Sequence, residues 1–243
     1  MPPPRKNNKL TVKPAFTLAE VLITLGVIGV VAAITLPAVI TKIQNKGYVE
    51  RLKKTYAALQ IVTTQLADEG LSFDVDAEKI TKEQGYDIAL AEFQNIANSY
   101  ASKMKVNTVC KYFSYDETPC HMPVDKYKYL NKTINNGHYC PFMGTFSMSL
   151  QDGTSIGIRF GNQGGGMTLW NVPQIRYAVD VNGKKGPNTM GRDIFYLYYE
   201  NGKIKPAGDG NKRIGLFGKD DCNKNDLGFG CAYKVLKEGK INY

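Results

Sequence analysis

Residues 180–193 gather the side chains best suited to hold a hard cation. Asp180, Asn182, Asn188 and Asp193 put carboxylate and amide oxygens on one short stretch, and calcium takes roughly six to eight such oxygens from an irregular loop. Lys184, Lys185 and Arg192 lie among them and oppose a cation by their charge. Asn182-Gly183 and Pro187-Asn188 are also turn-formers in their own right. A folded structural loop is therefore the first reading of this stretch, and a calcium site the second.

Two further clusters carry donor atoms. Cys120-His121 and His138-Tyr139-Cys140 hold two thiols and two imidazoles, the ligand types of a tetrahedral zinc site. Adjacent residues in extended chain point to opposite sides, so Cys120 and His121 are poorly placed to share one ion. Asp220, Asp221, Asn223, Asn225 and Asp226 crowd the last stretch of chain, and a solvated polar turn explains them. No Ser-His-Asp set is defensible. A secreted or membrane-anchored enzyme using a thiol or a metal is the alternative to a structural protein, and it would rest on a free, low-pKa Cys140.

All five cysteines fall well after Lys42, at Cys110, Cys120, Cys140, Cys222 and Cys231, and none lies in residues 1–41. An oxidising compartment would let some of them pair. The nearest pairs in sequence are Cys110 with Cys120 and Cys222 with Cys231, and sequence alone leaves the connectivity open. Each bridge would stabilise the domain by roughly 2–4 kcal/mol.

The other residue that asks for chemistry is Glu20. It stands directly ahead of residues 21–41, a run without a charge that as helix matches a bilayer core of about 30 Å. A carboxylate at that edge costs a few kcal/mol, on the order of 2–4, and calls for a partner. Arg5, Lys6, Lys9 and Lys13 precede it with no acid among them. By the positive-inside bias the N-terminus stays cytoplasmic and everything after Lys42 is exported. Two plainer readings compete. One is a secretory signal peptide cut after Val31-Ala32-Ala33, which would release a protein starting at Ile34; the other is an unprocessed single-span anchor. Neither accounts for Glu20 three residues after Thr17 and against the apolar run.

The segment Lys13-Pro14-Ala15-Phe16-Thr17-Leu18-Ala19-Glu20-Val21 resembles the start of the type IV pilin and type II secretion pseudopilin family. In that family a basic leader is cut before a Phe, the fifth mature residue is Glu and an apolar helix follows. Here those places fall to Phe16 and Glu20, with Ala15 where the family usually has Gly. Pro37 falls at the place of a kink-forming proline. The resemblance covers about the first 55 residues strongly and the remainder loosely. It implies cleavage between Ala15 and Phe16, N-methylation of Phe16, and an assembly role for Glu20 and Pro37. The implied partners are a prepilin peptidase and methyltransferase, other pilin-like subunits and the bacterial inner membrane. It also implies a C-terminal disulfide loop at Cys222 and Cys231, and calcium in a loop between strands of the exported sheet. The leader accounts for four of the nine net positive charges. The mature chain is only modestly basic and exported, so no nucleic-acid partner is expected.

These residues need elements to hold them. Tyr48, Leu52, Tyr56, Leu59, Val62 and Leu66 recur at helical spacing with Lys46, Glu50, Lys53 and Lys54 between them, which predicts that the helix continues to about Glu69 and stops at Gly70. A kink or a melted turn is expected near residues 34–37. Residues 77–100 carry Ile88, Leu90, Phe93 and Ile96 on a helical face, and residues 103–137 read as an elaborated connection. Ile156, Ile158 and Phe160, then Ile175, Tyr177 and Val179, alternate as in strands. Asp152-Gly153 and Asn201-Gly202 are hairpin turns. The glycine-rich run 161–166 lacks the setting of a phosphate loop and reads as a turn. The expected fold is α+β: a long membrane-anchoring N-terminal helix packed on an antiparallel sheet, pilin-like. The expected organisation is a leader over residues 1–15, a transmembrane helix over 16–41, its exported continuation over 42–69 and a globular domain over 70–243. The expected function is a structural subunit of a type IV pilus-like or type II secretion pseudopilus filament.

Overall fold

The computed structural model describes residues 16–73, 85–110, 116–134, 141–142, 145–160, 175–211 and 217–243. Ala15, His138, Cys140 and the glycine-rich run 161–166 lie outside them. The layout is α+β. Helix α1 (Leu18–Asp68) is followed by α2 (Gly85–Lys103), then by strands β1 (Val106–Cys110), β2 (Phe146–Leu150), β3 (Ser155–Phe160), β4 (Ile175–Asp180), β5 (Ile194–Glu200) and β6 (Lys203–Pro206), and last by α3 (Cys231–Glu238). The chain divides into two compact units, residues 1–43 and 44–243.

In the first unit α1 is apolar and uncovered. Within residues 16–43 every side chain but that of Ala32 is exposed, Ile34 by 73% and Leu22 by 61%. Among the described residues this is the one helix long and apolar enough to cross a membrane. No turn melts at Pro37, because the helix runs unbroken from residue 34 to 37 and beyond. Proline leaves the Ala33 carbonyl without its usual donor, but the flanking turns suffice to carry the helix through.

In the second unit the helix carries a buried stripe. Tyr48, Val49, Leu52, Thr55, Leu59, Val62, Thr63 and Leu66 are buried, at the three- and four-residue spacing of one helix face. Tyr56 is half-buried and donates its hydroxyl to the Ile204 carbonyl (3.1 Å). Gly70 ends the helix as expected, in the left-handed region at φ +88°. Gly70 N donates to Ala67 O and Leu71 N to Leu66 O, a Schellman cap whose hydrophobic contact is Leu71 against Leu66 in the same cluster.

The sheet is a six-stranded antiparallel meander in chain order. Its hairpins fall at Asp152-Gly153, between β2 and β3, and at Asn201-Gly202, between β5 and β6, where both turn residues have positive φ. That is the geometry a two-residue turn needs to match strand twist. Strand alternation sends Ile156, Ile158, Ile175, Tyr177 and Val179 to the face covered by α1 and α2. Ala178, Ile194, Tyr196 and Tyr198 go to the other face, beneath Tyr127, Phe142, Phe217 and Phe229. The connection expected over residues 103–137 holds an edge strand as well: β1 pairs with β2 across Val109↔Met148 and Cys110↔Ser147. The other edge is sealed by α1, since Ile204 N donates to Gln60 Oε1 (2.8 Å). A chain of hydroxyls, Thr63 to Tyr100 (2.6 Å) and Tyr100 to Tyr177 (2.8 Å), crosses the core between both helices and β4. Burial pushes the Tyr100 hydroxyl up to about 12, so it stays a neutral donor and acceptor.

Candidate functional site

Two places bring chemically capable side chains together. The first is the start of α1. Thr17 N and Thr17 Oγ1 both donate to Glu20 Oε2 (2.8 Å each), and Glu20 N donates to Thr17 Oγ1 (3.2 Å). This is a capping box: threonine as the cap, glutamate three residues on, each satisfying a helix-start donor of the other. Thr-x-x-Glu is the sequence signature of such a cap, a signal missed in reading the sequence, and the cap accounts for the three-residue spacing in a plain anchor as well. Both residues are exposed, and among the described residues Glu20 Oε1 has no hydrogen-bond partner, so one carboxylate oxygen faces outward.

The second place is the loop from β4 to β5. Asp180 ends β4 and Asp193 immediately precedes β5, and Val181 N donates to Asp193 O (2.9 Å), so the two acids meet at the mouth of the loop. Both are buried, to 1% and 0% exposure. Asp193 accepts from Asn188 N at Oδ2 (2.8 Å) and from Thr189 N at Oδ1 (2.7 Å), and Asp180 Oδ1 accepts from Asn182 N (3.2 Å). Asn182 Nδ2 donates to Gly186 O (3.0 Å) and reaches the Tyr48 hydroxyl of α1 (3.4 Å). The side-chain oxygens of Asn182 and Asn188 are buried with no partner.

The loop is held from outside as well. Lys128 N donates to Asn188 O and Met190 N to Lys128 O. Gly183 and Gly191 sit at φ +62° and +76°, and a Cβ on Gly191 would meet Cys231 Sγ at 2.7 Å. A larger residue there would have to displace the Cys222–Cys231 bridge.

Electrostatically the loop is mixed: the half-buried Arg192 neighbours Asp193, and Arg51 of α1 donates to Val181 O (3.1 Å). Burial, and then the neighbouring Asp193 carboxylate, push Asp180 well above the ordinary carboxylate range. Burial raises Asp193 to about 6 against the lowering effect of the Thr189 and Asn188 amides. The lysines do not relieve this: Lys184 is exposed and pairs with Glu117 (2.6 Å), and Lys185 is exposed. Two buried carboxylates and two unpartnered amide oxygens, Asp180, Asp193, Asn182 and Asn188, are the hard donors a calcium ion takes. They match calcium in donor type but number four, against the roughly six to eight oxygens the ion takes, and both Asp193 oxygens already accept backbone N–H groups.

The remaining candidates resolve differently. Cys110 is bridged to Cys120, and His121 is buried, stacked on Phe142 with Nδ1 against Met122 O (3.0 Å). That pair is therefore structural and does not supply a zinc site, which the adjacent spacing disfavoured. Cys222 is bridged to Cys231, the first residue of α3. Four of the five thiols are thus consumed. Asp221 accepts from Phe229 N (3.1 Å) and Gly230 N (2.6 Å), which satisfies donors ahead of α3, and Asn223 bonds Asp226 in a polar turn. Among the described residues no group of three or more His, Cys, Asp or Glu side chains could hold a metal; in the β4–β5 loop two of the four donors are amides.

No family model, no curated protein and no solved structure matches this chain.

Proposed function

We propose that this chain is a structural subunit of a type IV pilus-like or type II secretion pseudopilus filament, cut between Ala15 and Phe16 and assembled through the first half of α1. The observation that carries this reading is the bare apolar surface of residues 16–43, which opens on a carboxylate. A surface of that kind needs lipid or other apolar helices around it. In the inner membrane lipid covers it; in a filament the same residues of neighbouring subunits do. The N-terminus stays cytoplasmic and the sheet is exported.

Glu20 sets the register in this account. The free Oε1 oxygen is available to the Phe16 amine of a neighbouring subunit, and the pairing offsets two charges that would otherwise stand alone in hydrocarbon. A bend at Pro37 would help neighbouring anchors lie side by side. In the exported domain Asp180, Asp193, Asn182 and Asn188 would hold a calcium ion, which would tie β4 to β5 against the opposing charge of Arg192. A prepilin peptidase and methyltransferase process Phe16, and other pilin-like subunits are the assembly partners.

The test separates the two roles of Glu20. Glu20→Gln keeps a capping-box side chain but removes the charge. Membrane insertion should be unchanged while sheared filaments are lost. Normal filament yield from Glu20→Gln would overturn the charge-pairing account.

A further inference from the structure

On the sheet face away from α1, two arginines stand opposite each other, and among the described residues no acid bonds either of them. Arg159 of β3 and Arg176 of β4 are direct register partners in the antiparallel ladder, so their side chains leave the same face side by side. Like charges directly opposite are destabilising in such a pair. Arg176 is half-buried: its guanidinium lies over the Phe217 ring, 4.8 Å from the centroid, and its Nε is buried with no hydrogen-bond partner. Burial, and then Arg159, hold Arg176 down at about 10.

The nearby acids are already engaged. Glu200 binds Lys205 (2.5 Å) and Asn211 (2.9 Å). Asp209 accepts from the Tyr198 hydroxyl and from Asn211 N (3.1 Å). The chain between the two arginines, residues 161–174, contains no Asp or Glu, and neither do residues 212–216, which run up to Phe217. The local sequence therefore offers no carboxylate to balance the pair.

We infer that Arg159 and Arg176 form a binding site for an oxyanion, a phosphate or carboxylate group. Guanidinium groups present planar pairs of N–H donors that match such oxyanions, and the Phe217 ring fixes the plane of one of them. A bound oxyanion would bridge the two guanidinium groups and cancel the cross-strand repulsion. This site is separate from the β4–β5 loop and independent of the filament reading.

Thermal unfolding of the full chain in nonionic detergent tests it, with inorganic phosphate and malonate each titrated against chloride at matched ionic strength. Phosphate also stabilises proteins by exclusion from their surface, so the wild type is read against Arg159→Gln. The wild-type midpoint should rise by several degrees more than that of Arg159→Gln and should saturate. In chloride alone Arg159→Gln should melt higher than wild type, because the like-charge pair is gone. A response to phosphate alone identifies a phosphate-bearing ligand, to malonate alone a carboxylate-bearing one, and to both a general oxyanion site. Equal responses of wild type and Arg159→Gln to both anions would overturn the site. Arg176→Gln should lose the response as well; if it fails to fold, the Arg159→Gln comparison decides alone.

Discussion

In residues 18–43 of α1 apolar side chains surround the helix and are exposed, Leu25 by 61% and Val27 by 58%. In residues 48–66 they form one stripe, Leu52 and Leu59 at 0% exposure, with Lys46, Glu50, Lys53 and Lys54 on the open side. A helix apolar all round must be covered all round, whereas a striped one needs a single covering face. The second half finds that face within its own unit, in the sheet and α2. The first half has no cover within its own unit, and under the proposed function lipid and other subunits would supply it.

Substitution of one leucine in each half sharpens the contrast most. Leu59→Ala should destabilise the domain by about 2–5 kcal/mol, the cost of a core cavity, read as a lower denaturation midpoint of the full chain in detergent. Leu25→Ala should leave that midpoint within about 0.5 kcal/mol and should show its effect in filament yield instead. Equal losses of domain stability would erase the distinction between the halves.

A smaller effect belongs to the acid pocket. Asp180 and Asp193 are both raised above their ordinary range, so the folded state favours their protonated forms. For Asp193 the stabilising contribution is complete below about pH 4 and is lost as pH rises through about 6; Asp180 shifts in the same direction. For Asp193 alone the displacement corresponds to about 3 kcal/mol. In chelator the melting midpoint should fall from pH 4 to pH 7. Calcium should restore it at pH 7 by mass action. Asp180→Asn should flatten the pH dependence and weaken the calcium response, and a wild-type melting curve indifferent to millimolar calcium would leave only a structural loop.

These features differed in how plainly they could be read. Gly70, Asp152-Gly153 and Asn201-Gly202 announced their turns because positive φ selects for glycine and asparagine locally. β3 and β4 showed clean alternation because each packs one face on the helices. β1 did not, since an edge strand with Val109 half exposed exists only through its pairing with β2. α3 is eight residues long and depends on the Cys222–Cys231 bridge and Asp221 for its start, all contacts across sequence. Asp180, Asn182, Asn188 and Asp193 were legible as oxygen donors, but their burial and the orphaned amide oxygens come only from the loop's tertiary supports. The Arg159 and Arg176 pair depends on β3–β4 register, which residue types alone did not reveal.

The smallest effect concerns the cap. Thr17→Ala should cost about 1 kcal/mol of helix-start stability, visible as faster amide exchange in the first turn of α1, with domain melting unchanged. Protection equal to wild type would show that the capping box contributes nothing there.

The central claim is that the apolar first half of α1 is retained and begins at Phe16. Intact-mass and N-terminal analysis of the protein from membrane fractions tests it most directly. The account predicts a mature chain starting at Phe16, with the added mass of one methyl group on its amine. A chain starting at Ile34, or one still carrying residues 1–15, would contradict it.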